Sequence, residues 1–484
     1  MACPCAGVPD HSVGSATPAL EFDIIIIGAG SGNTLIGPEL AGHSIALIDD
    51  GEWFGGTCLN AGCIPTKMFV APATIISEAA DAAQLGVDVA PQSIAVDWPR
   101  MRDRVFGRTD KLSRAGQRNR ELKQPNVTVF RETVGFEDPH TLVSASGQRL
   151  HAARIVIAAG SRPSPLLAAY EPGSGIHDSD SIMRIDDLPD SLLVIGGGAV
   201  AAEFSHVFSA FGVAVTQVVR GERLLADLDN TVADRFTSVA RDSWTVLTGA
   251  SVDEIDRVDD LLVATLDTGE QVAVAGVLVA TGRIPNTDTL NAAAVGFDLH
   301  GDGRLVVDSY QRVLAGGSPV SGIFALGDVS SPWQLKHVAN QEARTVLANL
   351  VAGDDLESAG DHARPGPVPA AIFSRVEVAH FGLTRAEAPA DAIVVTREFG
   401  STAWGWAHED TLGACTIVVD RSSGSLLGAW IVGTLASVLL QPLVMAASSG
   451  RSIVGLARSM YWPHPAATEV VENALLDAEK ELDK

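Results

Sequence analysis

The sequence predicts an α/β chain with two doubly wound units, each opened by a strand running into a glycine turn, followed by a smaller α+β domain. Three observations predict it. The stretch 22-FDIIIIGAGSGN-33 joins an apolar, β-branched run to Gly28-x-Gly30. The stretch 192-LLVIGGGAVAAEF-204 repeats the arrangement at Gly196-x-Gly198-x-x-Ala201. After about residue 355 a Pro-rich connector, 362-HARPGPVPA-370, leads into strand-like stretches that carry no glycine fingerprint. A length of 484 residues is enough for about three domains.

An apolar run without polar alternation suits a strand covered on both faces of a parallel sheet. The glycine turn that ends it lets backbone N–H groups approach a pyrophosphate at a helix N-terminus. One such match is weak; two in one chain, each with the right flanks, point to two dinucleotides. In the first unit Asn33 stands at the sixth fingerprint position, where Gly or Ala is usual. The next strand, 45-IALIDD-50, ends in Asp49 and Asp50, one of which can accept hydrogen bonds from a ribose; strand alignment favours Asp49. In the second unit 213-VAVTQVVR-220 ends in Arg220, with Arg223 close behind and no carboxylate at the strand end. Two guanidiniums suit a 2′-phosphate, so NADP(H) is favoured over NAD(H). Further apolar runs close on glycine at 155-IVIAAGSRP-163, 277-VLVATGRIPN-286 and 322-GIFALGDVS-330. The last brings Asp328 to a strand end, where it can bond a ribityl hydroxyl or order a phosphate-side loop.

The third domain is read as strands at 392-AIVVTREF-399 and 415-CTIVVD-420 followed by two helical stretches. The uncharged run 426-LLGAWIVGTLASVLLQPLVMAASSG-450 is long enough for a bilayer, but Gln441-Pro442 interrupts it and Gly428 and Gly433 dilute it. A strand and a helix in a domain or subunit interface explain it better. A net charge of −25 argues against nucleic acid and anionic membrane as partners. The leader, residues 1–20, has neither the basic region nor the apolar core of a secretory signal. It reads as a disordered tail carrying Cys3 and Cys5, and the chain as cytoplasmic.

Five cysteines are too few for a disulfide framework. Two of them, Cys58 and Cys63, lie in 55-GGTCLNAGCIPTKMF-69. On a regular helix residues five apart have Cα atoms about 8–9 Å apart, whereas a disulfide needs roughly 4.4–6.8 Å. The pair therefore closes only if Gly62 and Pro65 bend the segment. A bond made there is strained and easily reduced, which suits redox chemistry rather than a staple. No further ligands stand at zinc spacing, so no metal site is expected. An acid/base partner is found in 461-YWPHPAATEVVEN-473: His464 lies between two prolines, and a helix beginning just after Pro465 puts Glu469 within reach of the imidazole.

These motifs occur in the order of the flavoprotein disulfide reductases (class I pyridine nucleotide-disulfide oxidoreductases), which the chain resembles over nearly its whole length beyond the leader. Within that family GSGN, GGTCLNAGCIPTKMF, 405-GWAHED-410 and YWPHP…EVVENALL are similar to the branch whose substrate is mycothione, with glutathione and lipoamide as alternative substrates on the same fold. The resemblance implies two Rossmann-like dinucleotide-binding domains, for FAD (21–162 and 286–355) and NADPH (163–285), plus a C-terminal α+β dimerisation domain (356–484). Gly28, Gly30, Ser31, Gly32, Asp49, Gly56, Thr57, Lys67, Gly160, Gly327 and Asp328 would hold FAD. Gly196, Gly198, Arg220, Arg223 and Gly282 would hold NADPH. Cys63 would be the thiol nearer the flavin and Cys58 the one that attacks substrate, with Lys67 and Glu203 paired beside the flavin. His464, oriented by Glu469, would act on the other subunit's Cys58, making the enzyme a homodimer with a shared active site. Ala199 departs from the family pattern, standing where relatives carry an aromatic that gates the nicotinamide pocket. The ending 474-ALLDAEKELDK-484 has no thiol, unlike mercuric reductases and large thioredoxin reductases. A non-catalytic flavin-bound redox sensor is the reading from another class, and the joint presence of all six catalytic-type residues disfavours it.

Overall fold

The computed structural model describes residues 18–90, 93–166, 173–353, 356, 360–363 and 366–484; Cys3 and Cys5 lie outside the described residues. Strand β1 (Leu20–Ile27) begins inside the stretch expected to be a tail. Leu20 and Glu21 pair in register with Leu150 and His151, and the Glu21 carboxylate meets His151 Nδ1 at 2.7 Å. Ile24, Ile25 and Ile26 have no exposed surface, the two-sided burial that an unalternating run requires. The helix expected behind the first glycine turn is not there. The chain instead makes two 3-10 turns, Gly32–Leu35 and Pro38–Leu40, because Pro38 has no N–H with which to extend a helix through the extended Gly37.

The first unit continues through β2 (Ile45–Ile48), α1 (Thr57–Asn60), α2 (Cys63–Asp81), α3 (Trp98–Lys123) and β3 (Val127–Phe130). A hairpin, β4 (Val134–Asp138) and β5 (Thr141–Ser144), leads to β6 (Arg149–Ile157). The stretch Thr57–Leu85 is long and apolar enough to cross a bilayer. Its Phe69, Val70 and Ala73, however, are buried in one cluster with Trp98, Phe204 and Phe208.

The chain leaves through β7 (Ser161–Pro163) into the second unit: β8 (Ile176–His177), β9 (Ser191–Ile195), α4 (Ala199–Ala210), β10 (Ala214–Val219), α5 (Asn230–Ser243) and β11 (Thr245–Thr248). An antiparallel trio, β12 (Val252–Val258), β13 (Leu261–Leu266) and β14 (Gln271–Val274), precedes β15 (Gly276–Val279). The return is through β16 (Arg283–Pro285), which pairs with β7. Strands β17 (Arg312–Ala315) and β18 (Ser318–Ala325) and helix α6 (Lys336–Ala352) complete the first unit.

The first sheet runs β17-β18-β6-β1-β2-β3 and the second β11-β10-β9-β15-β8. The strand order reverses between β1 and β6 in one and between β9 and β15 in the other, with parallel pairing at both points. Connections diverge there, so a crevice opens at the carboxyl ends of the strands.

The last unit is an antiparallel sheet, β19 (Ala370–Ile372), β20 (Val378–Gly382), β21 (Ile393–Glu398), β22 (Ala414–Val419) and β23 (Leu426–Val432), in the order β19-β20-β23-β22-β21. Short helix α7 (Ala403–Ala407) lies between β21 and β22. The long uncharged run folds as β23, α8 (Ala436–Leu439) and α9 (Gln441–Ser448), with Pro442 near the start of α9, where its missing N–H costs little. Helix α10 (Glu469–Leu482) begins at Glu469 rather than directly after Pro465. Its Val470, Val471, Ala474, Leu475 and Ala478 are buried in the core of this sheet.

Candidate active site

Strand β1 delivers its glycine turn into the first crevice. Gly28 sits at φ +106°, and a Cβ there would lie 2.2 Å from the Ala158 carbonyl oxygen, so only glycine lets the ends of β1 and β6 close up. Gly56 sits at φ +77°, and a Cβ would come within 2.6 Å of the Gly30 Cα. The loop before α1 therefore crosses the turn backbone on backbone. Buried Ser31 donates to Asn340 Oδ1 at 3.3 Å and accepts from Lys336 Nζ at 2.9 Å. Asn33 does not serve as a close-packing residue. Its side-chain and main-chain oxygens accept from Arg120 of α3 at 2.7 and 2.8 Å.

At the end of β2, Asp49 is half-buried and meets Arg131 at 2.8 Å, while Asp50 is exposed. Burial pushes the Asp49 carboxyl up to about 6 against the pull of Arg131. Beyond β18, Asp328 accepts a 2.6 Å bond from Ser161 Oγ, and the Gly327 N–H donates to Glu342 at 2.7 Å. Gly160, at φ +67°, faces open space. A glycine turn offers backbone N–H donors to a pyrophosphate, and carboxylates at two strand ends offer acceptors to sugar hydroxyls. The residues fit FAD.

Helix α1, led by exposed Thr57, ends at Asn60; Ala61 and Gly62 break the helix, and α2 restarts at Cys63. The break removes the geometric objection to joining residues five apart. Cys58 and Cys63 are held here as two thiols rather than as a closed disulfide. The hydrogen bond from Cys58 lowers the Cys63 thiol, exposed in the single chain, to about 7 against the desolvation that opposes it, with help from its backbone, Lys67 and Lys336. The same bond, together with burial, pushes Cys58 up. Both shifts favour keeping a proton on Cys58 and, on loss of the first proton, placing the charge on Cys63. Asn60 fixes the loop, its Nδ2 donating to the Trp53, Phe54 and Gly56 carbonyls at 3.1 Å each.

Lys67 lies four residues past Cys63, on the same face of α2. Its Nζ is 2.6 Å from both carboxylate oxygens of Glu203 on α4, and Glu203 also accepts the Phe373 N–H at 2.9 Å. A thiol pair, a paired ammonium and the glycine turn thus come together from three elements.

The second crevice holds a cavity of about 930 Å³ lined by Gly196, Gly198, Arg220, Arg223 and Gly282. Gly198 and Gly282 face open space, and Ala199 and Gln334 also stand on the wall. The volume and the bare backbone fit a nicotinamide dinucleotide. Two carboxylates stand near these guanidiniums. Arg223 shares its charge with Asp234 of α5 at 3.2 Å. A carboxylate, Asp227, also reaches the wall, because the chain turns back after the strand end where the sequence shows none.

His464 Nδ1 contacts Glu469 Oε1, and the imidazole side chain is 73% exposed; the His464–Pro465 peptide is cis. Glu469 is buried, and its other oxygen accepts the Ala403 N–H of α7 at 3.0 Å. Helix α10 packs on β21 and β22, whereas α1 and α2 pack on α3 and α4. The thiols and the imidazole therefore belong to separate clusters with separate supports. Sequence reasoning missed Arg131, Phe373, Ala403 and Lys336. The second and third act through backbone N–H groups, which leave no side-chain signal. Lys336 had one: a cation opening a helix pattern just after the Gly-Asp turn.

Residues 22–343 match the pyridine nucleotide-disulphide oxidoreductase family and residues 368–475 its dimerisation domain. The chain is 43% identical over 466 residues to mycothione reductase of Mycobacterium tuberculosis (strain ATCC 25618 / H37Rv), covering 94% of this chain and 99% of that one. It is 32% identical to dihydrolipoyl dehydrogenase of Halobacterium salinarum, covering 96% and 98% of the two chains. It is 29% identical to glutathione reductase of Burkholderia cepacia, covering 88% and 92%. Among solved structures, the HOCl-induced flavoprotein disulfide reductase RclA from Escherichia coli has a TM-score of 0.79 at 25% identity, covering 94% and 99%. The glycine turns, the thiol pair and the matched domains lead to one conclusion: the chain belongs to the pyridine nucleotide-disulphide oxidoreductase family, whose members use FAD and NAD(P)H to reduce disulfides and pair through a dimerisation domain.

Proposed function

We propose that the protein reduces mycothione to mycothiol at the expense of NADPH. The observation that carries this reading is 43% identity across 94% of the chain with a mycothione reductase, well above the values for the dihydrolipoyl and glutathione enzymes. Gly28, Gly30, Ser31, Gly32, Asp49, Gly56, Thr57, Gly160, Gly327 and Asp328 would hold FAD, with Lys67 beside its reactive ring. Gly196, Gly198, Gly282, Arg220 and Arg223 would hold NADPH. When bound, the two cofactors supply the electron pair that opens the Cys58–Cys63 disulfide.

The side chains then divide the proton work. Reduction leaves a thiol on Cys58 and a thiolate on Cys63, the distribution favoured by the bond between them. His464 of the partner subunit takes the Cys58 proton as the Cys58 sulfur attacks the substrate disulfide. The imidazolium returns that proton to the first departing thiolate. The Cys63 thiolate attacks Cys58, re-forming the internal disulfide and releasing the second half of the substrate. Glu469 fixes the imidazole tautomer, and its buried carboxylate stabilises the imidazolium. Exposure of His464 in the single chain supports its use across a subunit boundary.

A second reading, an NADH-linked dihydrolipoyl enzyme, is favoured by one observation, the Asp227 carboxylate on the nicotinamide-side cavity. The test is NADPH and NADH oxidation with mycothione, glutathione disulfide, lipoamide and no acceptor, side by side. Mycothione with NADPH should give the highest kcat/KM; a higher value for lipoamide with NAD(H) would establish the second reading instead. The arm without acceptor reads leakage past Ala199.

A further inference from the structure

The Glu469 carboxylate is buried, and its two oxygens face different elements. Oε1 contacts His464 Nδ1, and Oε2 accepts the Ala403 N–H at 3.0 Å. The imidazole is mostly exposed in the single chain, so it gives the carboxylate no fixed anchor. The last torsion of a glutamate side chain is broad, and one contact at Oε1 leaves the carboxylate free to turn. The bond from Ala403 ties the other oxygen to backbone.

That backbone belongs to a loop closed on itself. Residues 399–413 join β21 to β22, and helix α10, which begins at Glu469, packs on both strands. Arg397 of β21 pairs with Asp477 of α10 at 3.1 Å. The loop wraps buried Phe399, whose N–H donates to the Gly413 carbonyl at 2.8 Å, and the Asp410 N–H donates to the Gly405 carbonyl at 2.9 Å. A Cβ at Gly405 would lie 1.9 Å from the Phe399 carbonyl oxygen, and one at Gly413 would lie 2.6 Å from the Phe399 ring. Such close approach is open to glycine alone. Thr402 caps α7, its Oγ1 accepting the Gly405 N–H at 3.0 Å. Ala403 follows as the first residue of α7, where an N–H finds no partner inside its own helix. Glu469 Oε2 is the partner it finds.

We propose that the Ala403 N–H positions the acid/base pair, holding the Glu469 carboxylate so that its opposite oxygen stays in line with His464 Nδ1. The proposal rests on the proton transfers given above to His464, and it brings the β21–β22 loop into them. With Nδ1 committed to Glu469, Nε2 is the nitrogen that takes the Cys58 proton and returns it to the departing thiolate. The bond between imidazolium and carboxylate is charge-assisted and directional, so a carboxylate that turns lets the ring tilt and carries Nε2 off line. Without the Ala403 donor, Oε2 would also be left buried and unpaired, a penalty relieved only by turning away. Ala403 is thus a positioning residue that acts through Glu469.

The test follows the two half-reactions of the flavin-loaded dimer separately by stopped flow: flavin reduction by NADPH, and reoxidation of the reduced enzyme by mycothione, with lipoamide as the alternative acceptor. Replacing the Thr402–Ala403 peptide link by an ester removes the N–H without adding bulk. Ala403→Pro removes it at a helix position where proline is tolerated, behind a residue already extended at φ −114°, ψ 157°. Either change should slow reoxidation about tenfold, a part of the roughly 10²–10⁴-fold that a positioned acid/base supplies, and leave flavin reduction unchanged. Ala403→Ser keeps the N–H and should be reoxidised like the wild type. The ester also weakens the Thr402 carbonyl, which accepts the Trp406 N–H at 3.0 Å; a Glu469→Ala background separates the two effects. There the ester should cost nothing further, because the carboxylate it acts through is gone. Reoxidation of the ester variant at the wild-type rate, or a cost that persists without Glu469, would overturn the proposal. Reoxidation of His464→Ala as fast as the wild type would instead overturn the acid/base reading, and this inference with it.

Discussion

Replacing Cys58 by alanine removes the hydrogen bond that does most to hold the Cys63 thiol at about 7, against an ordinary value of 9.0. Partial desolvation acts in the opposite direction. Without that bond it is opposed only by the backbone, Lys67 and Lys336, so Cys63 should return to the ordinary thiol range. At pH 7 its thiolate fraction would fall from about one half to about one in a hundred, roughly fiftyfold. Cys58→Ser restores a donor, and an O–H is a stronger one than an S–H, so Cys63 should stay low. The assay is the rate of Cys63 alkylation by iodoacetamide across pH 5 to 10 in each flavin-loaded variant, read on its own peptide. Cys415 is fully buried and does not compete. The rate should rise through about pH 7 in the serine variant and about two units higher in the alanine variant. Equal midpoints would refute the hydrogen bond as the cause.

Arg220→Glu should shift the ratio of kcat/KM values from NADPH toward NADH by about tenfold or more; an unchanged ratio would leave Asp227, not Arg220, as the determinant. Mixing inactive Cys58→Ser and His464→Ala subunits should restore up to about one active site in each verified heterodimer, because the intact thiol pair and the intact imidazole then meet across one interface. Absence of any recovery would place both in one chain. Gly56→Ala puts a methyl group 2.6 Å from the Gly30 Cα at φ +77°, so the purified variant should lose bound flavin, seen as a fall in the flavin-to-protein absorbance ratio. A full complement would show that the crossing of the two loops is not what shapes the crevice.

The strands were legible because burial on both faces leaves a run such as Ile24–Ile27 with no polar interruption, and the glycine turns because a Cβ at Gly28 or Gly196 would strike a carbonyl of the next strand. Legibility failed just beyond the first turn. There the fingerprint predicts a helix, and Gly37-Pro38 stops one from forming. The ion pair of Arg223 was not legible because its partner Asp234 lies on α5, and Asp227 was invisible as a wall residue because its position depends on how the chain folds back.

The sequence by itself determined the residue types the chemistry needs and their order: two cysteines flanking a breakable turn, a lysine one helical turn past the second, a histidine between prolines, and a glutamate five positions on. Only the tertiary structure decided which charges those groups meet. Glu203 reaches Lys67 from a different unit, Ala403 donates to Glu469 from helix α7, and Lys336 reaches Ser31 of the glycine turn from the far end of the first unit. Local steric rules are written in neighbouring residues, whereas electrostatic partners are set by distances across the folded chain, and those distances come into being only when the sheets assemble.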